Sequence, residues 1–261
     1  MARVLVRGRW YESLPHRAQL ESEFETIVEQ HANDLFPGFT AVPFKADVRT
    51  PNGVRRGDLA LVATNYLDWW VVEVEMSHHS LTGHVMPQVE GLLEGDYGPE
   101  HAARIVDGSR RQLEHDAVVE MIRGAQPKVL VVVDRPRPNW VQPLKHMSVP
   151  LAIAEVFRSD LNEIAIRLNG EAPRPPRADQ AICRPDPVLP RSLQVLSPGI
   201  LPFANREHGE IDISGQISVW TRIDTGDRVL LRPVDGDPLG QWRQNIVLEL
   251  GVDGRLRITN E

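Results

Sequence analysis

One cysteine, Cys183, stands among 261 residues, so no internal disulfide can form and no oxidising compartment is implied. The opening residues lack an apolar targeting core, and no stretch approaches a membrane span, which leads us to expect a cytosolic protein with no membrane partner. Basic residues are in deficit, 29 Lys and Arg against 36 Asp and Glu, for a net charge of −7. By region the balance is −6 through Glu171, +2 from Ala172 to Ile200 and −3 from Leu201 onward. Such a chain is poorly suited to coat nucleic acid, because that mode of binding draws on clustered cations and counterion release. No internal repeat is visible.

What is present suffices for a core. The hydrophobic fraction is 41%, and the length favours two domains. Prolines crowd the stretch between Gly170 and Leu201, in Glu171-Ala-Pro-Arg-Pro-Pro-Arg and again in Arg184-Pro-Asp-Pro-Val-Leu-Pro. Helices and inner strands tolerate few prolines. This predicts a stiff linker over residues 171–200, separating a first domain, 1–170, from a small β-barrel-like domain, 201–261. The second domain reads as short strands over Glu210 to Trp220, Asp227 to Arg232, Gln244 to Leu250 and Arg255 to Thr259. Its acids Asp224, Asp227, Asp235 and Asp237 fit turns better than a calcium loop, since the twelve-residue ligand spacing is missing. Substrate recognition, a protein partner and homodimerisation are all open roles for it.

The first domain carries the chemistry. Apolar Leu20, Phe24, Ile27, Val28, Ala32, Leu35 and Phe36 fall at helical spacing between Pro15 and the Pro37-Gly38 stop, with Glu25 at the edge of the stripe and Glu21 one turn before it. Leu59 to Ala63 reads as a strand, Thr64 to Asp68 as a turn and Trp69 to Met76 as a second strand, together a hairpin. Alternation puts Glu73 and Glu75 on one face of that strand and Val72, Val74 and Met76 on the other. Asp58 opens the partner strand. Like charges converging in so apolar a hairpin would shift a pKa or distort the strand unless a cation joined them. Mg²⁺, which takes oxygen ligands and often only one or two carboxylates plus substrate phosphate, suits a shell supplied by Asp58, Glu73 and Glu75, and Mn²⁺ should substitute.

Helices over Pro99 to Gly108 and Ser109 to Gly124, an apolar buried strand over Lys128 to Asp134, and a hairpin over Leu151 to Phe157 and Glu163 to Leu168 complete an α/β domain with a mixed sheet. Pro87 opens a helix bearing Gln88, whose neutral amide could orient a phosphate oxygen or a water. His78, His79 and His84 lie in the loop before it. Adjacent histidines on an extended chain point apart, and no cysteine accompanies them, so we expect loop histidines near phosphate rather than a zinc site.

The pattern Gly57-Asp58, Glu73-Val74-Glu75 and Gln88, preceded by an acidic first helix, resembles the PD-(D/E)XK nuclease superfamily across most of residues 15 to 170. The resemblance implies a restriction-endonuclease-like mixed sheet flanked by helices, and a Mg²⁺-dependent endonuclease acting on DNA, with restriction or phage defence a natural setting. It also implies roles: Glu25 (with Glu21 in reserve), Asp58 and Glu73 as metal ligands, Glu75 where Lys usually stands, and Gln88 as the later Gln. Phosphate contacts would come from Arg3, Arg7 and Arg9, from Arg55 and Arg56, and from Arg104, Arg110 and Arg111. A nuclease fold that only binds nucleic acid or a protein is the alternative raised by the missing Lys. A carboxylate-pair glycosidase fits poorly, because same-face neighbours on one strand do not oppose each other across a sugar.

Overall fold

The computed structural model describes residues 2–14, 20–110, 112–174, 179–225, 228–236 and 246–259. It divides into an α/β unit and a β unit. The α/β unit is built on strands β1 (Arg3–Val6), β2 (Arg9–Ser13), β3 (Phe39–Pro43), β6 (Leu59–Ala63), β7 (Trp69–Glu75), β8 (Lys128–Val133), β9 (Leu151–Ser159) and β10 (Ile164–Gly170). They form one mixed sheet in the order β1-β2-β9-β8-β7-β6-β3, with β10 paired to β9. A separate two-stranded ribbon joins β4 (Val48–Thr50) to β5 (Gly53–Arg55).

Helix α1 (Glu21–Leu35) lays its apolar stripe on one face of this sheet. Phe24, Ile27, Val28, Ala32 and Phe36 pack with Leu59, Leu61, Val72, Val74, Met76, Leu130, Val132 and Ala154 in a single cluster. Alternation then turns Glu73 and Glu75 away from it, as the sequence pattern demands. Helices α2 (Met86–Leu93), α3 (Pro99–Gly108), α4 (His115–Gly124) and α5 (Pro138–His146) complete the unit, with α2 against β8 and α3 against β3. Their buried Val89, Leu92, Ala102 and Ile105 lie outside the α1 cluster. A sheet covered on both faces explains why β6 and β8 are apolar at nearly every position.

The hairpin of β6 and β7 falls where the sequence puts it. Leu59 pairs with Val72 and Val62 with Trp69, so the next step outward sets Asp58 opposite Glu73. Gly57 precedes that step for a steric reason. A Cβ there would sit 2.2 Å from Val71 Cγ1 and 3.6 Å from the Phe44 ring.

Two helix boundaries differ from expectation. Helix α1 starts at Glu21, with Leu20 extended and exposed before it, and residues 15–19 of the expected helix lie outside the described residues. The second expected helix begins at His115 rather than Ser109, because Arg110 has a φ of 53° and the Ser109 hydroxyl accepts from Leu113 N–H instead. Helix α5 and the ribbons β1-β2 and β4-β5 were not expected.

The β unit is a closed barrel of β11 (Gln180–Pro185), β12 (Leu193–Val195), β13 (His208–Ile213), β14 (Gln216–Asp224), β15 (Val229–Pro233), β16 (Ile246–Leu250) and β17 (Leu256–Thr259). This corrects the linker expectation, since β11 and β12 lie within residues 171–200. Pro185 ends β11 and Pro187 and Pro190 lie in the turn before β12, where a missing N–H is tolerated, while Ala181, Cys183, Leu193 and Val195 join the barrel core. Cys183 is thus a core residue and not a linker one. The single strand expected from Glu210 to Trp220 is two, split by a tight turn at Ser214 (φ 54°) and Gly215 (φ 88°).

The close approach at Gly57 makes a prediction. Gly57→Ala should cost roughly 1–3 kcal/mol of overpacking, and a double-mutant cycle with Val71→Ala should show non-additivity of about 1 kcal/mol or more. Urea unfolding of the four proteins measures both; strictly additive effects would contradict the contact.

Candidate active site

Each acid of the hairpin is held by local structure before any ligand is considered. The Asp58 N–H donates to the Val72 carbonyl at 2.9 Å, and the Val74 N–H donates to Asp58 Oδ2 at 2.8 Å, so the carboxylate is clamped across the hairpin mouth. Oδ1 lies 3.4 Å from the ammonium of Lys45, in the loop after β3. The Glu73 and Glu75 side chains are 8% and 1% exposed as residues, far below what an acid on a strand usually shows. Glu73 Oε2 and Glu75 Oε1 are buried without a hydrogen-bond partner among the described residues.

The electrostatics follow from that burial. Removal from water lifts the Asp58 carboxyl from its ordinary 3.8 to about 6, against the pull of the Val74 N–H. Glu73 is pushed well above its usual range, first by burial and then by the charges of Asp58 and Glu75, while the Gln88 amide opposes the shift. Burial also raises Glu75, although the His79 hydrogen bond and the charge of His84 work downward. Glu73 therefore resists ionising beside Asp58 and Glu75, and a cation would release that conflict.

The fit to a hard divalent ion rests on these atoms. Asp58 Oδ1 and the orphaned Glu73 Oε2 are oxygen donors from opposed positions of one hairpin, which is the donor type Mg²⁺ and Mn²⁺ take. Glu25 stands differently from expectation. Its Oε2 accepts from Lys45 Nζ at 2.5 Å, and the same ammonium lies 3.4 Å from Asp58 Oδ1. Burial disfavours the Lys45 charge, but Glu25 and Asp58 outweigh that and raise its pKa. Glu25 thus reaches the site through a lysine and is a poor candidate for direct metal ligation. Lys45, two residues beyond β3 at a φ of 34°, carries no motif that would have singled it out.

Gln88 reaches the same corner from α2. Its Nε2 donates to the Arg56 carbonyl at 2.7 Å, bracing the chain two residues before Asp58. Beyond β7, the Ser77 N–H donates to Asp134 Oδ1 at 2.6 Å, which pins the loop to the end of β8. The histidines then depart from expectation. A π-helical turn, Leu81–Val85, brings His84 back so that Nε2 lies 3.3 Å from Glu75 Oε1, while His79 Nδ1 lies 2.6 Å from Glu75 Oε2. Glu21 Oε2 is 3.8 Å from His79 Nε2.

The arginines give less support to phosphate binding than their number suggests. Arg3 pairs with Glu12, Arg9 with Glu163 and Arg56 with Asp47, while Arg55 donates to the Pro87 carbonyl and Arg104 to the Phe44 carbonyl. Arg7 and Arg110 are exposed, and Arg111 lies outside the described residues. No helix among the described residues is long and apolar enough to cross a membrane.

No family model, curated protein or solved structure matches the chain.

Its burial dictates a pH dependence. The fold favours neutral Asp58, so that contribution is fully present below 3.8 and is lost as pH rises through about 6. The metal-free chain is expected to lose stability across this window. Glu73→Gln, which keeps the shape and removes the charge, should gain roughly 1–2 kcal/mol at about pH 8 and little at about pH 4. Thermal unfolding in chelator measures this, and a variant less stable than its parent at the higher pH would contradict it.

Proposed function

We propose that the chain is a metal-dependent nuclease of the restriction-endonuclease-like fold that hydrolyses phosphodiester bonds of DNA, acting in the cytosol. The observation that carries this reading is the opposition of a half-buried Asp58 and a buried Glu73 across one hairpin, with a Glu73 oxygen left without a partner among the described residues. The element order supports it too: an acidic first helix, a hairpin with Asp at its mouth, and a parallel strand β8 beside the acid-bearing β7.

Asp58 and Glu73 would hold Mg²⁺ or Mn²⁺. Bound there, such an ion would neutralise the paired carboxylates, polarise a phosphoryl oxygen and make an attacking water more acidic. The chain's own groups do the rest. Lys45, held by Glu25 at the rim beside Asp58, supplies the positive charge that position 75 lacks and stabilises charge developing on the phosphate. Glu75, whose pKa burial raises, would act as the proton acceptor. Gln88 braces the backbone carbonyl of Arg56, so its role is to position the Asp58 strand.

The expected outcomes separate these roles. Asp58→Ala and Glu73→Ala abolish Mg²⁺-dependent cleavage of plasmid DNA while circular dichroism stays unchanged. Lys45→Ala slows cleavage by roughly 10²-fold or more, the usual loss for one charge-stabilising donor, and does not weaken Mn²⁺ binding by calorimetry. Unchanged cleavage in both acid variants would overturn the assignments.

The second reading, a binding module without hydrolysis, draws on the same Lys45, because an ammonium between Glu25 and Asp58 already offsets part of the acidic charge. It predicts no Mn²⁺ uptake that depends on Asp58.

A further inference from the structure

The histidine loop is the feature that the nuclease reading leaves unused. Glu75, His79 and His84 offer one donor atom each, and these atoms lie within 4.8 Å of one another. The sequence alone hides this arrangement, because residues four and five apart meet only if the intervening chain coils. Here it does. The His79 N–H donates to the Met76 carbonyl, the Ser80 hydroxyl accepts from Gly83 N–H, and the π-helical turn sets His84 five residues beyond His79 on the same side. The two imidazoles stand edge to face with centroids 4.8 Å apart.

We propose that Glu75, His79 and His84 form a binding site for a borderline transition-metal ion of the Zn²⁺ class, distinct from the oxygen-only pair Asp58 and Glu73. Two imidazole nitrogens and a carboxylate are the donor set of open, three-ligand zinc and related sites, whereas Mg²⁺ prefers oxygen and retained water. The hydrogen bonds within the cluster do not exhaust it. His79 Nδ1 engages Glu75 Oε2, but Glu75 Oε1 is buried and unpartnered, with His84 Nε2 at 3.3 Å and out of line for a bond. A cation between them satisfies both. Glu21 is set behind His79, 3.8 Å from Nε2, as the outer carboxylate that orients a ligating imidazole and raises its basicity.

The site ties three elements together: the end of β7, the loop pinned by Asp134, and the first turn of α1. One consequence rests on the nuclease reading: an ion there would turn Glu75 from proton acceptor into metal ligand and add its positive charge to that of Lys45. The site itself does not depend on that reading.

The test uses the full chain in the Asp58→Ala background, so that the neighbouring acids do not contribute a competing site. Co²⁺ titration should give ligand-field absorption that saturates at one ion per chain, and Zn²⁺ should displace it while excess Mg²⁺ does not. His84→Ala, whose side chain is exposed and dispensable for packing, should weaken Zn²⁺ binding by about tenfold or more, the scale on which even outer-sphere partners act. His79→Ala should do the same, and Zn²⁺ should raise the unfolding temperature of the parent but not of the double histidine variant. Zn²⁺ affinity unchanged by both histidine substitutions, or no saturable uptake at all, would overturn the proposal. If Mg²⁺-dependent cleavage by the unmodified chain survives that result, only the transition-metal site fails.

Discussion

The structure turns on two carboxylates set directly opposite each other where water is scarce. Asp58 and Glu73 face across the mouth of the β6-β7 hairpin, and among the described residues the backbone donor that reaches the pair is the Val74 N–H on Asp58. Burying like charges side by side is unfavourable by far more than one hydrogen bond returns. A fold that keeps such a pair gives up stability for it, and functional sites are where proteins do so.

The surrounding architecture holds the pair without relieving it. One face of the sheet is sealed by α1, so β7 cannot turn its acids to that side without taking Val72, Val74 and Met76 out of the cluster. The parallel pairing of Glu73 with Val131 and Glu75 with Val133 fixes the register on the other side. Gly57 lets the chain pass close to Val71 just before Asp58. At the rim, Lys45 reaches in from beyond β3 and the histidines from beyond β7, so positive or protonatable groups gather only at the margins.

Much of this was legible where a side-chain period carried it. The β6-β7 hairpin, the shared face of Glu73 and Glu75, the apolar β8 and the β9-β10 hairpin all follow from alternation and from burial on both faces. What stayed hidden depends on chain reversal. Lys45 has no periodic partner and meets Glu25 and Asp58 only because the loop after Phe44 turns at a positive φ. His79 and His84 look divergent on an extended chain and converge through a π-helical turn. In the second unit, prolines masked β11 and β12, since a proline at a strand end reads in sequence like one in a linker.

The account rests on a divalent cation being shared by Asp58 and Glu73, and crystals grown with Mn²⁺ and measured at its absorption edge examine that directly. It predicts an anomalous peak at about 2.1–2.3 Å from one oxygen of each carboxylate, in the range for hard divalent ions on oxygen. A map with no peak there, and with neutral Glu73 hydrogen-bonded to Asp58 in its place, would contradict it.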